Sequence, residues 1–192
     1  MAIRSRIAAV LILALTGLTV LFLHTPEEKK ASAAAGPSGV DVHFAQMMVT
    51  HHEQAVRMSR GLLAKGEVPE RIRLIAEFIV HDQQREIDET NAWLSAWDQP
   101  AVAGPADGGH GMLTEAQLAD LDRAKLPEAG PLYLRLMIEH HQGAITMSRS
   151  LLDGGKSNPY LHSLAKHVIN EQSGEIDAMR ALLADKSNPP QS

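Results

Sequence analysis

The sequence predicts an all-α fold, a four-helix bundle assembled from two repeated helical hairpins with a short helix in the connection between them. Three observations carry that expectation. Helix formers dominate, and nowhere do β-branched residues alternate regularly enough to suggest a sheet. A shift of 89 residues superposes Phe44 to Asp88 on Tyr133 to Asp177 without a gap, with 15 of 45 aligned positions identical. Each copy reads as two long helical segments around a breaker, a unit that cannot bury its apolar stripe alone and must pack against its twin.

The elements follow in order along the 192 residues. Arg4 and Arg6 precede an uncharged apolar run from Ile7 to Leu23, the pattern of an export signal. Residues 1–23 are therefore read as a signal sequence or signal anchor, with the rest outside the cytoplasm by the positive-inside rule. The segment "ASA" at Ala31 to Ala33 resembles a cleavage site, but four charged residues separate it from the apolar run. An uncleaved anchor in the cell membrane is thus weighed ahead of a cleaved signal and a secreted product. Residues 24–40 are small, polar and punctuated by Pro and Gly, a flexible tether.

The expected domain spans 41–184, with repeats at about 41–97 and 130–184 joined by a linker at 98–129. Asp41 is expected to cap a first helix running to about Ala64. "KGEVPE" breaks it, and a second helix is expected from Pro69, a residue suited to an early helical position, to about Trp97. Thr114, followed by acidic residues that suit the helix dipole, opens the short helix. A third long helix is expected from about Pro131 to Leu152 and a fourth from about Tyr160 to Ala184, leaving 185–192 as a tail.

Composition removes several function classes. The formal charge is −5 and Lys and Arg form no stripe, which argues against nucleic acid as a partner; no glycine loop suits phosphate. Cysteine is absent, so disulfides, thiolate ligands and cysteine nucleophiles are excluded and any soft ligand must be methionine. Ser59 and Ser148 read as small packing residues, with no nucleophile beside a base to indicate an enzyme.

The most pointed feature is the doubled phrase "MVTHHEQAVRMS" at Met48 to Ser59 and "MIEHHQGAITMS" at Met137 to Ser148. On a helical wheel at about 100° per residue, Phe44, Met48, His51, His52, Ala55, Ser59 and Leu62 share one face, with Met58 at its edge. His51 and His52 straddle this stripe, so each aims toward a different neighbouring helix. Gln83 and Glu86 lie among Ile72, Ile75, Ala76, Ile79, Ile87 and Leu94, while Leu161, Ala165, Val168, Ile176 and Met179 frame Gln172 and Glu175. His81 falls on the outer face.

Buried polar groups need partners, and two readings supply them. In the structural reading each Glu accepts a hydrogen bond from an imidazole, and the layer fixes only register. Four histidines in two adjacent pairs are more than that task requires. In the metal reading His51, His52, His140 and His141 are nitrogen ligands, joined by Met48, Met58, Met137 and Met147, while Gln83, Glu86, Gln172 and Glu175 orient them from behind. Thioether with imidazole and no thiolate points to copper, particularly Cu(I). Met47, His51 and Met58 form a related stripe.

Two local pairs, His43 with Met47 and His110 with Met112, are further copper candidates. A di-iron oxidoreductase is disfavoured, because each repeat brings two histidines but one inward Glu, with Glu53 and Glu139 facing outward. The expected partners are a metal ion and, through the N-terminal segment, the membrane; homo-oligomerisation stays open.

The segments "FAQMMVTHHEQAVRMS", "EIDETNAWLSAW", "HGMLTEAQLADL" and "LRLMIEHHQGAITMS" resemble the bacterial family called "domain of unknown function 305", over about residues 41–184. The resemblance implies a ferritin-like four-helix bundle, often exported, with some members implicated in periplasmic copper binding and resistance. It maps the family's motif positions onto His51, His52, Met58, His140, His141, Met147, Gln83 and Glu86. The chain departs in having Gly130-Pro131 opposite Asp41 and Asn170 opposite His81, and it lacks the methionine-rich tails of some copper-binding proteins.

Overall fold

The computed structural model describes residues 36–101, 109 and 111–185. The export segment and most of the tether and tail lie outside the described residues. Among those described, no helix is long and apolar enough to cross a membrane.

Five helices and no strand make up the described chain: α1 (Gly39–Leu63), α2 (Glu70–Ala96), α3 (Glu115–Arg123), α4 (Ala129–Asp153) and α5 (Pro159–Ala184). α1 packs on α2, α4 packs on α5, and the hairpins meet chiefly through α1 and α4, with a smaller contact between α2 and α5. α3 lies against α1 and α4.

Two apolar clusters organise these helices, and the order in which each helix visits them gives its direction. The first holds Ala55, Met58 and Leu62 of α1, Ile72, Ala76 and Ile79 of α2, Tyr133, Leu134 and Met137 of α4, and Ile176 and Met179 of α5. The second holds Phe44, Met47 and Met48 of α1, Leu94 of α2, Ala144, Met147 and Leu151 of α4, and Leu161, Ala165 and Val168 of α5. α1 and α5 therefore run from the second cluster to the first, and α2 and α4 run the opposite way. Between the clusters each long helix passes one polar level: His51 and His52, Gln83 and Glu86, His140 and His141, or Gln172 and Glu175.

The helix starts refine the sequence reading. Ser38, not Asp41, caps α1; its hydroxyl accepts from the Asp41 amide at 3.1 Å, and the Asp41 carboxylate accepts from the Ser38 amide at 2.9 Å. This reciprocal box puts Asp41 at the third helical position, and its other oxygen accepts from the Asn158 amide at the start of α5, 2.9 Å away. Pro69 caps α2 from just outside the helix. α4 begins at Ala129, which places Pro131 in the first turn, where a missing amide proton costs nothing. Asn158 caps α5 through the Tyr160 amide, with Pro159 as its first residue. Thr114 caps α3 as expected, in a box with Gln117.

The connection before α3 is fastened to the centre of the fold. The Gln54 side chain donates to the Leu113 carbonyl at 3.1 Å and accepts from its amide at 2.8 Å. At the repeat-equivalent place on α4 stands Gly143. Gly111, with a φ of +79°, approaches it so closely that a Cβ on Gly111 would lie 2.5 Å from the Gly143 Cα. Only glycine suits both that dihedral and that gap.

Candidate metal centre

His51 and His52 occupy the α1 turn between Met48 and Ala55, and His140 and His141 the matching turn of α4, so the antiparallel α1–α4 contact brings both pairs to one level. Because adjacent helical residues diverge by about 100°, one histidine of each pair faces the other hairpin and one faces its own. The rings of His51 and His140 meet with centroids 3.7 Å apart and planes inclined at 34°. His52 points to α2, where Nε2 lies 2.6 Å from Oε2 of Glu86. His141 points to α5 and makes the same 2.6 Å contact with Oε2 of Glu175.

The result is one continuous row, Glu86, His52, His51, His140, His141, Glu175, crossing the molecule through both repeats. All four histidines are at most 1% exposed. Within each pair the ring centroids are 6.4 Å and 6.3 Å apart.

The hydrogen-bond inventory of this row is incomplete. With Nε2–H donated to a carboxylate, Nδ1 is the remaining atom of His52 and of His141, and neither Nδ1 meets a partner. Nor does the side-chain amide of Gln83, the Oε1 of Gln172 or the hydroxyl of Ser148 meet one. An unsatisfied buried polar group costs about 1–3 kcal/mol, so several in one layer are unfavourable unless a further group engages them. Burial holds the His140 imidazole well below its ordinary pKa, and the neighbouring His51, His141 and His52 rings push in the same direction. Its neutral form, the one with a lone pair for a metal, is therefore favoured.

Met48 and Met147 pack together in one apolar cluster and Met58 and Met137 in the other, so each repeat contributes one methionine above the histidine level and one below. They are 0–6% exposed and surrounded by aliphatic side chains. Of the two local pairs, His43 is exposed while Met47 is buried, and His110 lies outside the described residues. Glu53, Glu139 and His81 face outward.

One neighbour of the row carries no signal in the repeat. His167 of α5 brings Nε2 to 3.4 Å from Oε1 of Glu86, the oxygen that His52 does not use. Its repeat counterpart is Phe78, so a search for matched residues passes over it; only the contact between α2 and α5 reveals it.

The sequence profile described as "Domain of unknown function (DUF305)" matches residues 41–183. A DUF305 fragment from Deinococcus radiodurans is 32% identical with a TM-score of 0.71, over 77% of this chain and 97% of that one. A DUF305 protein from Streptomyces coelicolor is 30% identical, also with a TM-score of 0.71, over 80% and 96% of the two chains. CopM in its Cu(I)-bound form is 33% identical with a TM-score of 0.61, over 74% and 94%; CopM has also been solved with Cu(II) and with silver. Among curated proteins, none matches the chain. With the profile spanning both histidine pairs and both carboxylates, the chain belongs to the DUF305 family.

Proposed function

We propose that the chain is an extracytoplasmic copper-binding protein, a ferritin-like four-helix bundle over residues 41–184 that buffers or hands on copper through its buried histidine layer. The observation that carries this reading is the meeting of four buried imidazoles at one level, with Nδ1 of His52 and Nδ1 of His141 lacking hydrogen-bond partners. Such a donor set fits the metal: neutral imidazoles, thioethers packed on both sides and no thiolate suit Cu(I) better than a hard cation.

In this reading His51, His52, His140 and His141 hold the ion. Met48, Met58, Met137 and Met147 supply polarisable surroundings and soft donors, and Glu86 and Glu175 fix the rings of His52 and His141 from behind. Gln83 and Gln172 complete the layer. The Cu(I), Cu(II) and silver forms of CopM, a relative at about 30% identity, support the choice of metal. The N-terminal apolar segment supports export, as does the Streptomyces relative, which is regarded as secreted.

The structural reading keeps one observation in its favour, since the two 2.6 Å imidazole–carboxylate contacts would fix register without any metal. An anaerobic titration with Cu(I) against a competing chelator separates the two. Saturable uptake that is lost in the His51→Leu/His140→Leu double variant, with helicity retained, is the copper result. Uptake no tighter than the chelator in the parent chain leaves the layer as architecture.

A further inference from the structure

At the edge where α2 meets α5, three side chains outside the histidine row, Asp82, His167 and Glu171, converge near its end at Glu86. Nε2 of His167 lies 3.4 Å from Oε1 of Glu86, 3.5 Å from Oε2 of Glu171 and 4.0 Å from Oδ2 of Asp82. One ligand atom each from Asp82, Glu86 and His167 all fall within 4.8 Å of one another. These spacings are longer than good hydrogen bonds, which lie at about 2.7–3.2 Å. The two shorter ones match donors arranged around an ion, since two ligands at about 2.0–2.1 Å from a tetrahedral centre stand roughly 3.4 Å apart, and Asp82 lies somewhat farther out.

A second observation points the same way. Glu86 is 4% exposed, and its Oε1 makes no hydrogen bond although Oε2 is held by His52. A buried carboxylate oxygen is thus aimed at the Nε2 of His167, an atom that is also buried and makes no hydrogen bond although the side chain is 42% exposed. Arg85 engages Asp82 through Oδ1 only, which leaves Oδ2 on the His167 side.

The internal repeat supplies a built-in comparison. The counterparts of Asp82, Glu86 and His167 are Glu171, Glu175 and Phe78, so the opposite edge has the carboxylates but a phenyl ring in place of the imidazole. There Phe78 and Glu175 line a shallow groove with Leu74, Ile75 and Gly174. The cluster therefore occurs once per chain among the described residues.

We propose that Asp82, Glu86 and His167, with Glu171 beside them, form a surface site for a divalent cation that takes mixed oxygen and nitrogen donors, Zn(II) being the type case. One imidazole with three carboxylates is a harder donor set than the histidine layer, so the two sites select different ions. They share a residue: Glu86 presents one oxygen to each.

The test is a calorimetric titration of the untagged, metal-free chain with Zn(II), with Co(II) absorption as a check on coordination. The expected result is one saturable equivalent whose affinity falls at least tenfold in His167→Phe, which copies the opposite edge, and in Asp82→Asn. The same equivalent should persist in His51→Leu/His140→Leu, so this site and the copper site fail independently. Absence of saturable Zn(II) uptake by the parent chain, or uptake unchanged in His167→Phe and Asp82→Asn, overturns the proposal.

Discussion

The imidazoles of His51 and His140 lie against each other at the centre of the molecule, 3.7 Å between ring centroids, each contributed by a different repeat. This contact turns two copies of a motif into one layer. It also puts two titratable rings where water cannot solvate a charge, and the consequence is measurable in acid. Burial, reinforced by the adjacent rings, lowers the His140 pKa well below the ordinary 6.5. In the metal-free protein the unfolded state then binds more protons than the folded state below about pH 6.5, so stability is complete above that pH and falls as the pH drops toward the native value. The slope expected is up to about 1.4 kcal/mol per pH unit for this one group. Urea unfolding at pH 7.5 and 5.5 measures it, and His140→Gln should flatten the dependence.

Glu175 touches His141 through a single oxygen and is free of the His167 cluster that complicates Glu86. Glu175→Gln should keep the fold but loosen the orientation of the His141 ring, weakening Cu(I) binding about 10–100-fold. Chelator competition reads the change; an unaltered affinity would mean that His141 needs no such support.

The repeat is broken where Tyr133 meets Ser59. The Tyr133 hydroxyl lies 2.7 Å from the Ser59 Oγ, whereas the equivalent pair is Phe44 and Ser148, and the Ser148 hydroxyl has no partner. Tyr133→Phe should therefore destabilise by about 1–2 kcal/mol by orphaning Ser59, and Phe44→Tyr should stabilise by up to about 1 kcal/mol by giving Ser148 the partner it lacks. Thermal unfolding of the two variants should move in opposite directions.

Asp41 ties the start of α1 to the start of α5, accepting from Ser38 and from the Asn158 amide. Burial alone would raise its pKa, but these hydrogen bonds outweigh it and hold the carboxyl below its usual 3.8. Its contribution is thus present above that value and lost as the pH falls through the lowered one. Asp41→Ala should cost about 1–3 kcal/mol at neutral pH, through a lost capping partner and an unsatisfied Asn158 amide. Denaturant midpoints at pH 7 check the loss.

The repeat made the helices and the inward histidines legible because a gapless 89-residue shift preserves both the apolar stripe and everything embedded in it. The start of α1 was harder: Ser38 and Asp41 are both good caps one turn apart, and only the reciprocal bonds decide which is the cap. Met48, Met58, Met137 and Met147 illustrate another limit, since helical spacing that faces a layer also faces the core, and they are packed in the core. His167 was invisible for the opposite reason. The repeat marks what the halves share, and the imidazole at the α2–α5 edge is something one half has and the other lacks.

The most direct measurement is long-range proton–nitrogen NMR of the histidine side chains during anaerobic addition of Cu(I), which is diamagnetic. Copper held in the buried layer predicts that the first equivalent shifts Nδ1 of His52 and His141 and the ring nitrogens of His140, while His43, His81 and His162 stay unchanged. Shifts confined to those outer histidines, with the buried rings unmoved, would contradict it.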